Sequence, residues 1–193
     1  MRQRIRSARL AAFTLIELLL VVAVVGTVAV LALFGVRKYL GAAKAAEATS
    51  TIGSINRAAI AAYERESKTA NGLATHQLCK SSTAVPATVP ARSRYVPKPT
   101  DYHVPGEAPD TGWTCLRWEL NEPQYYQFEY DKGSKSAIAA DVTYPGHPDW
   151  VVAAVGDLDG DGEVANFATG GELEPDTGRP LPFVQMLIAN PEE

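Results

Sequence analysis

The stretch Phe13-Thr14-Leu15-Ile16-Glu17-Leu18-Leu19-Leu20-Val21-Val22-Ala23-Val24-Val25-Gly26-Thr27-Val28-Ala29-Val30-Leu31-Ala32-Leu33-Phe34-Gly35-Val36 decides the fold. Only Thr14, Glu17, Thr27 and two glycines interrupt its apolar character. As a helix rising 1.5 Å per residue it reaches about 36 Å, against a hydrocarbon core of about 30 Å. The run therefore predicts a membrane-spanning helix over residues 13–36. A secretory signal fits poorly, because its apolar region runs to about 7–15 residues and ends at a small-residue cleavage site. Here Arg37 and Lys38 close a longer run. On the other flank Arg2, Arg4, Arg6 and Arg9 stand without an acid, which places that end in the cytoplasm and the rest of the chain outside.

Glu17 is the anomaly in this stretch. An ionisable group inside a bilayer costs about 2.5–3.5 kcal/mol even on the lenient insertion scale, so it is a functional residue by default. Its surroundings, Ala11-Ala12-Phe13-Thr14-Leu15-Ile16-Glu17-Leu18 behind a basic leader, resemble the class III signal of the type IV pilin superfamily. That family comprises type IV pilins and the pseudopilins of type II secretion. The resemblance implies that a prepilin peptidase removes residues 1–12 by cutting between Ala12 and Phe13 and then N-methylates Phe13. It also implies that Glu17 pairs with the N-terminal amine of a neighbouring subunit during filament assembly. Such a pairing makes two buried charges tolerable that would be costly alone. Two features depart from the family pattern. Alanine rather than glycine precedes the cut, and no proline occurs before Pro86, so Phe34 and Gly35 mark where the helix would loosen in a filament.

Beyond the apolar run, residues 37–66 read as the amphipathic half of the same helix. Ile52, Ile55, Ala59 and Tyr63 recur at steps of three and four and form a stripe suited to docking on a sheet. Gly53 and the run Thr49-Ser50-Thr51 are poor helix formers and favour the competing reading of an exposed spacer. Residues 67–112 read as a proline-rich loop, with Pro86, Pro90, Pro97, Pro99, Pro105 and Pro109 denying it ladder donors. Residues 113–193 read as an antiparallel sheet with an acidic C-terminal loop. Strands are expected at 113–120 with Leu116, Trp118 and Leu120 on one face, and at 124–130 with Tyr126, Phe128 and Tyr130 on one face. Two more are expected at 137–142 and 150–155. The fold class is thus α+β, a long helix packed on an antiparallel sheet, and the resemblance implies the pilin fold.

Charge is unevenly distributed. The chain carries 18 Lys and Arg against 22 Asp and Glu, yet residues 1–100 hold a net +10 and residues 101–193 a net −14. An acidic average argues against a general nucleic-acid binder, although Arg92, Arg94 and Lys98 form a local basic group. Only Cys79 and Cys115 are present. In an exported domain such a pair reads as a disulfide, and closing about 37 residues adds roughly 4 kcal/mol on a chain-entropy model. A reduced catalytic pair would instead need a base beside it in a cytosolic enzyme.

The segment Gly156-Asp157-Leu158-Asp159-Gly160-Asp161-Gly162-Glu163 matches the first half of an EF-hand-type calcium loop, with Asp157, Asp159, Asp161 and Glu163 as candidate ligands. The twelfth position is Ala168 rather than glutamate, so a metal-free acidic turn is the competing reading. His76, His103 and His147 are scattered, and no nucleophile motif is present, which points away from an enzyme.

The expected role is structural: a type IV pilus-like subunit that enters the inner membrane once, with the N-terminus inside, and meets the assembly platform, membrane lipid and related pilins. A type II secretion pseudopilin is the alternative within the family. The absence of a run resembling the proline-rich loop of the major pseudopilins favours the pilus. A rival of another class is a membrane-anchored, calcium-dependent surface binding module that never polymerises.

Overall fold

The computed structural model describes residues 13–65, 67–68, 74–139 and 142–191. The leader and Ala12 lie outside the described residues, as do residues 140 and 141 of one expected strand. In chain order the elements are α1 (Leu15–Glu64), β1 (Ser67–Lys68), β2 (Ala74–Thr75), α2 (Pro99–Tyr102), α3 (Gly112–Leu116), β3 (Gln127–Lys132), β4 (Trp150–Gly156), β5 (Ala165–Leu173), β6 (Pro180–Pro182) and β7 (Leu187–Ala189). Two compact units are formed, Met1–Leu40 and Gly41–Glu193.

The first unit contains the apolar part of α1. The helix is unbroken through Phe34 and Gly35. It holds an 18-residue window of mean hydropathy 2.8, none of it buried, and is long and apolar enough to cross a membrane. Large apolar side chains stay exposed around its circumference, from Phe13 and Leu15 to Tyr39 and Leu40. A helix apolar on every side requires lipid or other apolar helices around it.

In the second unit the rest of α1 becomes one-sided. Ala48, Ile52, Ile55, Asn56, Ala59 and Ala62 are buried, and Tyr63 packs beside them, so the docking stripe forms as its spacing predicts. The helix ends at Glu64, two residues short of expectation.

The stripe shares one core with Tyr126, Phe128 and Tyr130 of the β3 region, Trp150, Val152 and Ala154 of β4, and Phe167 of β5. The sheet is antiparallel in the order β3-β4-β5-β6, with β7 also paired to β5. The Trp150 indole N–H donates to Asn56 Oδ1 on α1 at 2.7 Å, which satisfies both groups in a buried position. Trp150 lies against Gly171, its partner across β4 and β5, where an added Cβ would run into the indole ring.

Three strand expectations need correction. Residues 113–120 contain helix α3 and irregular chain rather than a strand. Trp113 and Leu116 are both buried, at 1% and 2% exposure. An odd and an even position fall on opposite faces of a strand but on one face of a helix, so burying both selects the helix. Arg117, in the left-handed conformation with φ 54°, terminates it. The second strand occupies 127–132 instead of 124–130, with Tyr126, Phe128 and Tyr130 buried together as expected. Residues 137–139 form no strand. Ala139, Ile138 and Val142 instead cover the second face of β4, against Ala153 and Val155. The paired glycines of β5 and the prolines of β6 kept those strands out of the expected set.

The proline-rich segment is not a free loop. It closes the open edge of β3: Val85 and Phe128 exchange backbone hydrogen bonds at 2.9 and 2.8 Å, and Ser82 N–H donates to Tyr130 O at 2.8 Å. Cys79 and Cys115 form a disulfide, with Cα atoms 5.8 Å apart. Trp113, Trp118 and Tyr102 pack ring on ring at 5.3–5.4 Å beside it.

Two tyrosines of this core differ in one respect. Tyr102 O–H donates to Gln124 Oε1 at 2.8 Å, whereas the buried Tyr126 hydroxyl has no partner among the described residues. Tyr102→Phe should therefore lower stability by about 1–2 kcal/mol in urea unfolding, while Tyr126→Phe should leave it unchanged or raise it. Equal losses in the two variants would contradict this assignment.

Candidate functional site

The N-terminal motif forms the start of α1. Thr14 stands just before Leu15, and its hydroxyl accepts the Glu17 amide N–H at 3.3 Å, as an N-cap residue does toward the third helical residue. The Leu18 amide donates to the Thr14 carbonyl at 3.2 Å. Phe13, the expected first residue of the mature chain, is thus the residue preceding the cap. It is 78% exposed. The Glu17 side chain is exposed on the apolar helix, where the positive end of the helix dipole favours a carboxylate.

The acidic loop connects β4 to β5. Ligand oxygens of Asp157, Asp159 and Asp161 lie within 4.8 Å of one another; Asp157 is buried and the other two are exposed. Asp157 Oδ1 and Oδ2 accept the amides of Gly160 and Gly162, at 2.5 and 3.2 Å. Gly160 and Gly162 have φ of +76° and +95°, a region that residues with a side chain seldom enter. The loop is further held at its base, where Arg92 N–H donates to Asp157 O at 3.0 Å. Glu163 stands outside the carboxylate cluster, and its amide donates to Asp161 Oδ1 at 2.8 Å. Ala168 is buried within β5, paired with Ala153 and Leu187, so nothing at the twelfth position reaches the loop.

The aromatic run after Pro123 divides as its alternation predicts. Tyr126, Phe128 and Tyr130 are core, and Tyr125 is half-buried with Lys44 Nζ and the Arg94 guanidinium 4.6 and 4.5 Å from its ring centroid. Of the histidines, His76 lies against Tyr63, its Nδ1 3.0 Å from the Tyr63 carbonyl oxygen.

A buried acid group was not visible from motifs. Glu129 faces away from α1 on β3, and its Oε2 accepts the Ser136 hydroxyl at 2.8 Å and the amides of Ala137 and Ile138 at 2.9 and 3.1 Å. Asp131 Oδ2 also accepts the Ala137 amide, at 3.1 Å. Burial, and next the hydrogen bond shared with Asp131, push the Glu129 carboxyl above the usual glutamate range, against the lowering effect of Ser136 and Ile138. Burial likewise pushes up the Tyr144 hydroxyl, which is influenced by Asp131 and Glu129 and has no hydrogen-bond partner among the described residues. The only sequence signal was a carboxylate at an alternate position inside an aromatic strand.

No protein-family model, curated protein or solved structure matches the chain.

Because the fold raises the Glu129 carboxyl, the folded state favours its protonated form. Its contribution is complete below the unfolded value of about 4.3 and is lost as pH rises through the raised folded value. Glu129→Gln keeps an oxygen for the three donors and turns an amide toward Asp131. Thermal melts should show this variant gaining midpoint over the parent at pH 7 and losing that advantage at pH 4. An advantage confined to pH 4 would reverse the sign and refute the assignment.

Proposed function

We propose that the chain is a structural subunit of a type IV pilus-like filament with a pilin fold. In this reading it inserts once in the inner membrane, is cut between Ala12 and Phe13 by a prepilin peptidase, is methylated at Phe13, and polymerises through the apolar part of α1. The observation that carries the reading is a helix apolar on every side that starts at a Thr14 cap and bears a single carboxylate, Glu17, within its first turn. Such a helix can be covered by lipid before assembly and by copies of itself afterwards. Glu17 then acts as the register contact, since a buried carboxylate is stable only opposite a cation such as the amine of a neighbouring Phe13. A folded, disulfide-linked unit of helix and antiparallel sheet supports the same reading, because it supplies an exported body attached to that helix.

Mass spectrometry of the membrane-extracted protein should give an N-terminus at Phe13 carrying one methyl group. An intact Met1 end would sink the proposal in favour of a permanently anchored module. Glu17→Ala should abolish sedimentable filaments while leaving the protein in the membrane fraction; filaments at parental yield would remove Glu17 from the assembly role.

The loop at Asp157, Asp159 and Asp161 is proposed as a calcium site. Its three clustered carboxylates are hard oxygen donors, and the two positive-φ glycines hold them together. Millimolar calcium should raise the melting midpoint of the parent protein and not that of Asp159→Asn/Asp161→Asn. No shift of the parent midpoint at millimolar calcium, at fixed ionic strength, would assign the loop to a metal-free turn.

A further inference from the structure

Residues 101–193 contain 18 acids and only four bases, Arg117, Lys132, Lys135 and Arg179. Two of those four, Arg117 and Lys132, line one cleft of about 540 Å³ together with Arg65 from the end of α1 and Lys80 beside the disulfide. One carboxylate lies on the lining, Asp110, and it is bound to Lys80 Nζ at 2.8 Å. Among the described residues neither Arg117 nor Lys132 forms an ion pair. Two cations from the basic half of the chain and two from the acidic half thus meet in one cleft, and among the described residues on its lining Asp110 is the one carboxylate set against them.

Arg65 is held through its side chain and Arg117 through its backbone. Arg65 Nη2 donates to the Cys115 carbonyl at the end of α3, and Arg117 is fixed at the left-handed residue that terminates the same helix. Partial burial, and next the neighbouring Arg117 guanidinium, hold Arg65 below the usual arginine range. Two guanidinium groups close enough to repel are relieved by an anion between them. Each keeps free N–H donors in a planar fork, and two forks with a lysine beside them exceed what a two-oxygen carboxylate needs. A tetrahedral oxyanion offers the additional acceptors.

We propose that Arg65, Arg117 and Lys132 form a binding site for a phosphate or sulfate group, set in the cleft between the end of α1 and the Cys79–Cys115 disulfide. The site stands independently of the filament reading, since it lies wholly in the unit Gly41–Glu193. The group is either a free anion or part of an anionic polymer, and both use the same contacts.

Calorimetric titration of the full-length protein in neutral detergent, at fixed ionic strength, tests the site with inorganic pyrophosphate and with heparin as probes. Saturable binding of either probe is expected, weakened about tenfold by Arg117→Gln and by Lys132→Gln, as loss of one charge-assisted hydrogen bond predicts. Lys135→Gln removes the same charge from an exposed position that is not on the lining, and should leave binding unchanged. Binding of pyrophosphate assigns a free-anion source, and binding of heparin alone a polymer-borne one. Heat no greater than that of chloride, or equal weakening by Lys135→Gln, would overturn the site. Self-association lost in Lys132→Gln without any anion binding would give the cleft to a second copy and overturn it too.

Discussion

Trp150 has to be buried and hydrogen-bonded at once, and much of the unit Gly41–Glu193 is arranged around that requirement. A buried indole needs an acceptor for its N–H, and Asn56 provides one from the centre of an otherwise apolar helix stripe. The ring also needs room on the sheet, which Gly171 supplies by having no Cβ. With the helix on one face, β4 remains fully buried only if its other face is covered as well. The irregular segment around Ala139 does this, and the Glu129 carboxyl anchors it through one hydroxyl and two amides. A buried acid is thereby a consequence of how the sheet is enclosed, as well as a source of pH dependence.

The same unit shows how a proline-rich segment contributes to a sheet without becoming a strand. Proline cannot donate to a ladder, yet Ser82 and Val85, which precede the first proline of the segment, can. They close the edge of β3, which would otherwise present unpaired amides to other chains. The disulfide then joins this segment to α3, and the Arg65 hydrogen bond to the Cys115 carbonyl brings its guanidinium to the end of α3 that Arg117 terminates. The covalent link and the basic cleft meet at Cys115.

Legibility from sequence followed the strength of the local period. The Ile52, Ile55 and Ala59 stripe and the alternation Tyr126, Phe128, Tyr130 were readable because burial repeats every 3.6 or every two residues. The continuous apolar run of β4 was readable as a strand, and the structure shows why it is continuous, since both of its faces are buried. Residues 113–120 misled because their apolar positions fit both periods, and the choice fell to a long-range demand, burial of Trp113 against Tyr102 and Trp118. β5 went unread because its glycine pair serves a tryptophan on another strand, which no local window contains. Of the candidate site residues, the three aspartates of the loop were brought together as their spacing suggested, and Glu163 was not.

The sequence alone determined an apolar helix with one carboxylate, Glu17, near its start, and its continuation from residue 37 as an amphipathic half with a one-sided stripe. These are properties of side chains at fixed intervals on one helix, and they need no other part of the chain. Tertiary structure decided that Asp131 stands beside the buried Glu129 and that Arg65, Lys80, Arg117 and Lys132 line one cleft. Residues separated by tens of positions have no fixed distance until the helix, sheet and disulfide set one, and electrostatic effects depend on that distance.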